Sequence, residues 1–273
     1  MTVELDSPLH EALEHVTEEL GEVTGKLAAV DRFVKGVDDL SPATPNASPH
    51  VTDGGRITAS RTVSTVQYGP SESATAACRR DVRNLFAETI HPYAVDDIEQ
   101  SEPVLTLIGE EFGQDVAVAL APSTDHQFTP DLKQAVLSAA RQRRAELEAM
   151  KRALKIEVES LRTTKETVTE LVNWLVEVDE TPLLDLGFEE LRRRHETLAD
   201  HRAACRRLLE KRQSVLHGTT TYNATAGLAH RTLVTYLYRE LPTSYPALST
   251  VLRLLEQCRT CQRAVRDHLT RRV

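Results

Sequence analysis

Apolar residues mark the helices of this chain before anything else does. Leu9, Leu13, Val16, Leu20, Val23, Leu27, Val30, Val34 and Val37 recur at alternating spacings of four and three. That rhythm draws one apolar seam down a helix, with Glu11, Glu14, Glu18, Glu19 and Glu22 outside it, as in a coiled coil. Ser7 is placed to cap this helix and Pro8 to open it. The seam from Leu13, Val16 and Leu20 through Val23, Leu27 and Val30 is the expected self-association surface. The sequence leaves open whether its partner helix lies in the same chain or another.

A second long pattern starts at Thr129–Pro130–Asp131, another capped opening. No Gly or Pro follows until Pro182, so a helix of residues 130–178 is expected, ~70 Å long at 1.5 Å per residue. Leu147, Leu154, Leu161, Val168 and Leu175 repeat every seven residues, with Met150, Leu171 and Val178 filling the seam and Glu157 and Thr164 interrupting it. Pro182 and Gly187 bound a turn. Residues 188–217 are helical again, with Leu191, Leu198, Cys205, Leu208 and Val215 inward. Two long helices with a short connection favour an antiparallel hairpin.

Shorter patterns complete the chain. Residues 41–55 carry three Pro and two Gly and read as a linker or exposed loop. The Thr- and Val-rich stretch 57–68 could form one short strand pair. Residues 72–91 read as a helix with Val82, Leu85, Phe86 and Ile90 inward, and Ser101 caps a further stripe running to Leu120. Residues 218–226 form an uncharged loop before closing helices at 227–241 and 246–270. The expectation is an all-α fold, a long helical hairpin and coiled-coil bundle with at most one short strand pair. Its parts are an N-terminal coiled-coil helix (1–40), a linker (41–71) and a helical domain (72–273) built on the hairpin 130–217.

Composition supports helices: with aromatics at 4%, the core must come from Leu, Val and Ala. No stretch approaches the ~20 apolar residues of a membrane span. The opening MTVELDSP has acidic residues where a signal peptide needs Lys or Arg, so a cytoplasmic location is expected. The net charge of −8 is unevenly spread. Residues 1–130 hold 22 acidic and 8 basic side chains, whereas residues 131–273 hold 19 and 25. Such asymmetry suits an acidic partner, a nucleic acid, or docking of one half of the chain on the other. Arg202, Arg206 and Arg212 are the candidate phosphate-contacting stripe within the Arg-rich C-terminal helices.

Catalytic signatures are absent from the sequence: there is no GxxxxGK[ST] loop, no GxGxxG, no GxSxG elbow and no HExxH, and Glu-x-x-His occurs once, at Glu88–His91, where a two-metal bundle site needs it on two helices. A non-enzymatic role without a cofactor is therefore expected. One constellation could hold zinc. Cys258 and Cys261 share a helix face, as do His201 and Cys205, and four such ligands could close a tetrahedral site stapling two helices. The alternative is that these cysteines are small apolar core residues. Tyr236, Tyr238 and Tyr245 could stack on bases, but tyrosines on an amphipathic helix more often pack and hydrogen-bond.

Several segments together resemble a haloarchaeal family known only as a domain of unknown function. They are Leu198 to Leu216 with Cys205 and Arg212–Gln213, Tyr236–Leu237–Tyr238, Tyr245–Pro246, and Cys261–Gln262–Arg263–Ala264–Val265–Arg266–Asp267–His268–Leu269. Ala29–Val30–Asp31–Arg32–Phe33 and Phe128–Thr129–Pro130 fit the same family. The resemblance implies a salt-rich cytoplasm and no assigned activity. The 26 Arg against 7 Lys suit such a setting. About six phosphate contacts would lose roughly seven decades of affinity between about 0.15 M and 3 M salt, whereas apolar burial is not weakened that way. A helical scaffold or protein–protein interaction protein is thus the leading reading. A nucleic-acid-binding accessory protein and a zinc-stapled module are the alternatives.

Overall fold

The computed structural model describes residues 3–42, 71–93, 103–124, 126–221 and 227–271. The fold is all-α. Among the described residues it contains α1 (Val3–Asp39), α2 (Ser71–Thr89), α3 (Val104–Phe112), α4 (Gln114–Leu120), α5 (Pro130–Asp179), α6 (Phe188–Leu216), α7 (His230–Leu237) and α8 (Pro246–Thr270). A two-stranded antiparallel ribbon, β1 (Thr219–Thr221) with β2 (Gly227–Ala229), joins α6 to α7 and pairs Thr219 with Ala229. The stretch 57–68, expected to hold the strand pair, lies outside the described residues, as does most of the expected linker.

Contacts divide the chain into two compact units. One comprises Met1–Thr24 with Glu146–Val273, the other Gly25–Ala145. The division falls inside α1 and α5 rather than at the 41–71 segment, so the N-terminal helix is not a unit by itself.

In the unit Met1–Thr24 with Glu146–Val273, α5 and α6 form the expected antiparallel hairpin, and α8 packs along α6. Leu147, Leu154, Leu161, Val168 and Leu171 of α5 are buried, as are Leu191, Leu198, Cys205 and Leu208 of α6 and Leu254, Leu255, Cys258 and Val265 of α8. Gln262 of α8 donates to the His195 carbonyl at 3.1 Å and accepts from Arg202, a polar brace between α8 and α6. The first turns of α1 lie along α5, where Lys165 Nζ meets His10 Nδ1 at 3.2 Å.

The unit Gly25–Ala145 is centred on three phenylalanines. Phe33 and Phe86 meet edge-on with centroids 6.1 Å apart, Phe86 and Phe112 likewise at 5.6 Å, and Phe33 and Phe112 are tilted at 5.1 Å. These are the separations at which aromatic quadrupoles attract. Arg79, 7% exposed, donates to the carbonyls of Ala121 (3.0 Å) and Thr124 (2.8 Å) and so ties down the chain after α4. The start of α5 is capped as expected: the Leu132 amide donates to Thr129 Oγ1 at 3.2 Å, with Pro130 first in the helix.

Four local expectations are corrected. Ser7 and Pro8 do not open α1, which begins at Val3 and carries Pro8 inside. The helix tolerates this because a proline so near the start removes a single backbone bond. Pro103, not Ser101, stands at the N-terminal boundary of α3. The stripe from 104 to 120 is two helices, because Gly113 between them has φ +96° and ψ 149°, a conformation essentially reserved for glycine. The closing helix expected at 227–241 is confined to His230–Leu237, since residues 227–229 pair with β1.

Candidate functional site

The densest polar cluster in the described chain is built around a residue that interrupts a hydrophobic seam. Glu157 stands in α5 seven residues from Met150 and from Thr164, in a column that continues to Leu171 and Val178. Its carboxylate is fully buried. Facing it on α6 is Arg212, which continues the column Leu191, Leu198, Cys205 and is 3% exposed. Two antiparallel helices packed seam to seam bring these opposite charges together.

The carboxylate is saturated. Arg212 grips it end-on, Nη2 to Oε1 and Nη1 to Oε2, both at 2.7 Å. Tyr238, just after α7, donates its hydroxyl to Oε1 at 2.6 Å, and His230, which opens α7, faces Oε2 with Nε2 at 2.7 Å. Each oxygen therefore meets two donors, the fork-to-fork geometry that makes Arg–carboxylate pairs strong. Arg212 Nη1 also donates to Ser160 Oγ at 3.1 Å. Burial alone would push the Glu157 carboxyl up. The bonds from His230, Arg212 and Tyr238 outweigh it and hold the group at about 2. Burial and the Glu157 charge push the Tyr238 hydroxyl well above its ordinary value, so it stays a donor. A carboxylate accepts only, so His230 must carry its proton on Nε2. Its buried Nδ1 has no partner.

Chemically, the arrangement is an anion held by three fixed donors. Glu157, Arg212, His230 and Tyr238 are all 3% exposed or less. None of the four is open to solvent, and the cluster ties α5, α6 and α7 together.

Thr164, the other interruption of the seam, is buried and donates to the Ser160 carbonyl at 2.8 Å, four residues back on its own helix.

The cysteine–histidine group is placed differently. Cys205 and Cys258 are fully buried, with their thiols close to one another across α6 and α8. That contact and burial push the Cys258 thiol up. Cys261 is half-buried, its thiol 3.8 Å from Gln257 Nε2. His201 packs edge-on against Trp174 with centroids 4.6 Å apart, and burial lowers its basicity. Among the described residues no three His, Cys, Asp or Glu side chains are grouped to hold a metal ion, so His201, Cys205, Cys258 and Cys261 do not assemble into one site.

The basic stripe is also corrected. Arg206 is exposed, Arg202 is half-buried and bonded to Gln262, and Arg212 is consumed by Glu157. Of the three, only Arg206 is exposed, so they form no continuous surface stripe. Arg192 and Arg193 pair with Glu189 and Glu190 one turn before them, at 3.0 and 2.6 Å. Of the tyrosines, Tyr238 packs and bonds inside, whereas Tyr236 is 56% exposed. In α1, Val16, Val23 and Val30 are buried within the chain, and Leu13, Leu20 and Leu27 stay half-buried.

A family model described as a domain of unknown function, DUF7260, matches residues 7–262. The chain belongs to the DUF7260 family. That match takes in every member of the Glu157 cluster, so the cluster lies within the DUF7260 region of the chain. No curated protein and no solved structure matches this DUF7260 chain. Among its described residues no helix is long and apolar enough to cross a membrane.

Proposed function

We propose that this protein is a non-enzymatic helical scaffold that assembles through apolar helix faces. The observation that carries the reading is the closure of its main polar cluster: four bonded groups, each at most 3% exposed, give rigidity and offer nothing to a substrate. Buried networks of this kind fix helix register when their charges are paired, as Glu157 and Arg212 are here.

The assembling face is the half-exposed edge of α1, Leu13 and Leu20, since Val16 and Val23 are spent inside the fold. The occupant is a second copy of the chain. Glu14, Glu18 and Glu22 are exposed beside this edge, so two copies repel at low salt and approach once the charges are screened. The resemblance to a haloarchaeal family and the Arg-over-Lys bias favour a contact of this kind in a salt-rich cytoplasm.

Sedimentation velocity of wild type and of Leu13→Gln/Leu20→Gln in molar KCl tests the reading, with helicity as the folding control. Wild type is expected to sediment above the 30.4 kDa of one chain, and the variant at that mass with unchanged helicity. Wild type at single-chain mass throughout the concentration range sinks the proposal.

A further inference from the structure

Arg194 is a buried cation with an unused edge. It is 9% exposed, and its Nη1 donates to the carbonyls of Val178 (2.6 Å) and Thr181 (3.3 Å), which close the C-terminal end of α5. Its Nε–H is buried and has no partner. An unpaired donor on a buried guanidinium is costly, and nothing in the packing of α5 against α6 requires it.

The same side chain lines a cavity of about 280 Å³ bounded by α5, the turn after it, α6 and α8. Leu175, Leu198 and Val265 supply apolar wall, Trp174 lies along it, and Asp179 and Ala264 border it. Asp179 and Ala264 are exposed, whereas Arg194, Leu198 and Val265 are buried, so the guanidinium and the apolar wall are less open to solvent than the Asp179 carboxylate. A methylene takes about the volume of a water, ~30 Å³, so the cavity holds on the order of nine heavy atoms. Pockets with apolar walls and one fixed polar group are the usual form of small-molecule sites.

We propose that this cavity binds a medium-chain aliphatic carboxylate. The head group pairs side-on with the Nε edge of Arg194, the edge whose geometry matches two carboxylate oxygens, and the chain lies along Leu175, Leu198 and Val265. Asp179 is solvated, so its repulsion is screened far more than the buried contact. This site is independent of the assembling edge of α1.

Trp174 is the only tryptophan, so its emission reports the cavity directly. The experiment titrates the full chain with octanoate, 1-octanol and octylammonium, all below their micelle or solubility limits. Octanoate is expected to change Trp174 emission saturably at one site, at least tenfold more tightly than octanol or octylammonium. Arg194→Met removes the head-group contact but also a cap of α5. Ala264→Phe therefore serves as the second variant, filling the cavity while leaving Arg194 in place. Both are expected to weaken octanoate at least tenfold, Ala264→Phe with unchanged helicity. The proposal is overturned by no saturable change, by octanol or octylammonium matching octanoate, or by wild-type affinity in Ala264→Phe.

Discussion

Replacing Glu157 with Gln keeps the shape of the cluster and removes its charge. Arg212 is then left buried, 3% exposed, with no anion. The size of the effect follows from the carboxyl group itself. The drop from 4.5 to about 2 on folding corresponds to about 3 kcal/mol of stabilisation of the charged form. Breaking a buried pair by removing one partner costs about 3–5 kcal/mol, which agrees. Urea unfolding followed by Trp174 emission measures it, because Trp174 lies in α5 within the unit that holds the cluster. At neutral pH Glu157→Gln is expected to lose about 3 kcal/mol.

The pH profile carries a second signature. A carboxylate whose folded value is depressed stabilises fully above its unfolded value, and that contribution is lost as pH falls from about 4.5 to about 2. Glu157→Gln should lack this fall. Replacing both charges by Met removes the orphaned ion, although His230 and Tyr238 lose their acceptor at about 1–3 kcal/mol each. The double variant should still recover about 1 kcal/mol or more of the summed single losses, the sign of direct coupling. A Glu157→Gln loss within about 0.5 kcal/mol, the range of ordinary surface changes, would refute the reasoning, as would strict additivity.

Other outcomes follow from single positions. Gly113→Ala meets no neighbouring atom but must hold φ +96°, so a loss of about 1–3 kcal/mol in thermal or urea unfolding is expected. Thr129→Ala removes the cap of α5 and should cost about 1 kcal/mol in the same measurement. His201 is less basic in the fold than its ordinary 6.5 because burial disfavours its charge. The unfolded chain therefore takes up that proton first, and stability falls as pH drops below about 6.5. The His201 ring resonances should titrate below that value, and His201→Gln should flatten this part of the stability profile.

Much of the fold is legible in the spacing of Leu and Val. The heptads from Leu147 to Leu175 and from Leu191 to Val215 specify the hairpin, and Thr129–Pro130 specifies where it opens, because both signals are local. Gly113 is present in the sequence, but an apolar stripe runs unbroken across it, so only its φ reveals the break. The division inside α1 and α5 depends on contacts distant in sequence, which periodicity along one helix does not register.

The cluster itself left a trace. Glu157 reads as a defect in the α5 seam and Arg212 as one of many surface arginines. Yet both stand in heptad register with buried leucines, and opposite charges on facing seams of a hairpin are a pair waiting to form. His230 and Tyr238 carry no comparable signal, because a ribbon and a short helix bring them in from the side. The apparent metal set failed for the converse reason: Cys205 and Cys258 share an interface, but His201 turns toward Trp174 and Cys261 toward Gln257.

The assembly reading makes the sign of the salt dependence decisive. Sedimentation equilibrium of the wild-type chain from about 0.15 M to about 3 M KCl spans Debye lengths from about 8 Å to under 3 Å. An apolar edge flanked by exposed glutamates predicts a mass that rises above 30.4 kDa as KCl increases. A mass that stays at one chain, or falls as salt is added, contradicts it.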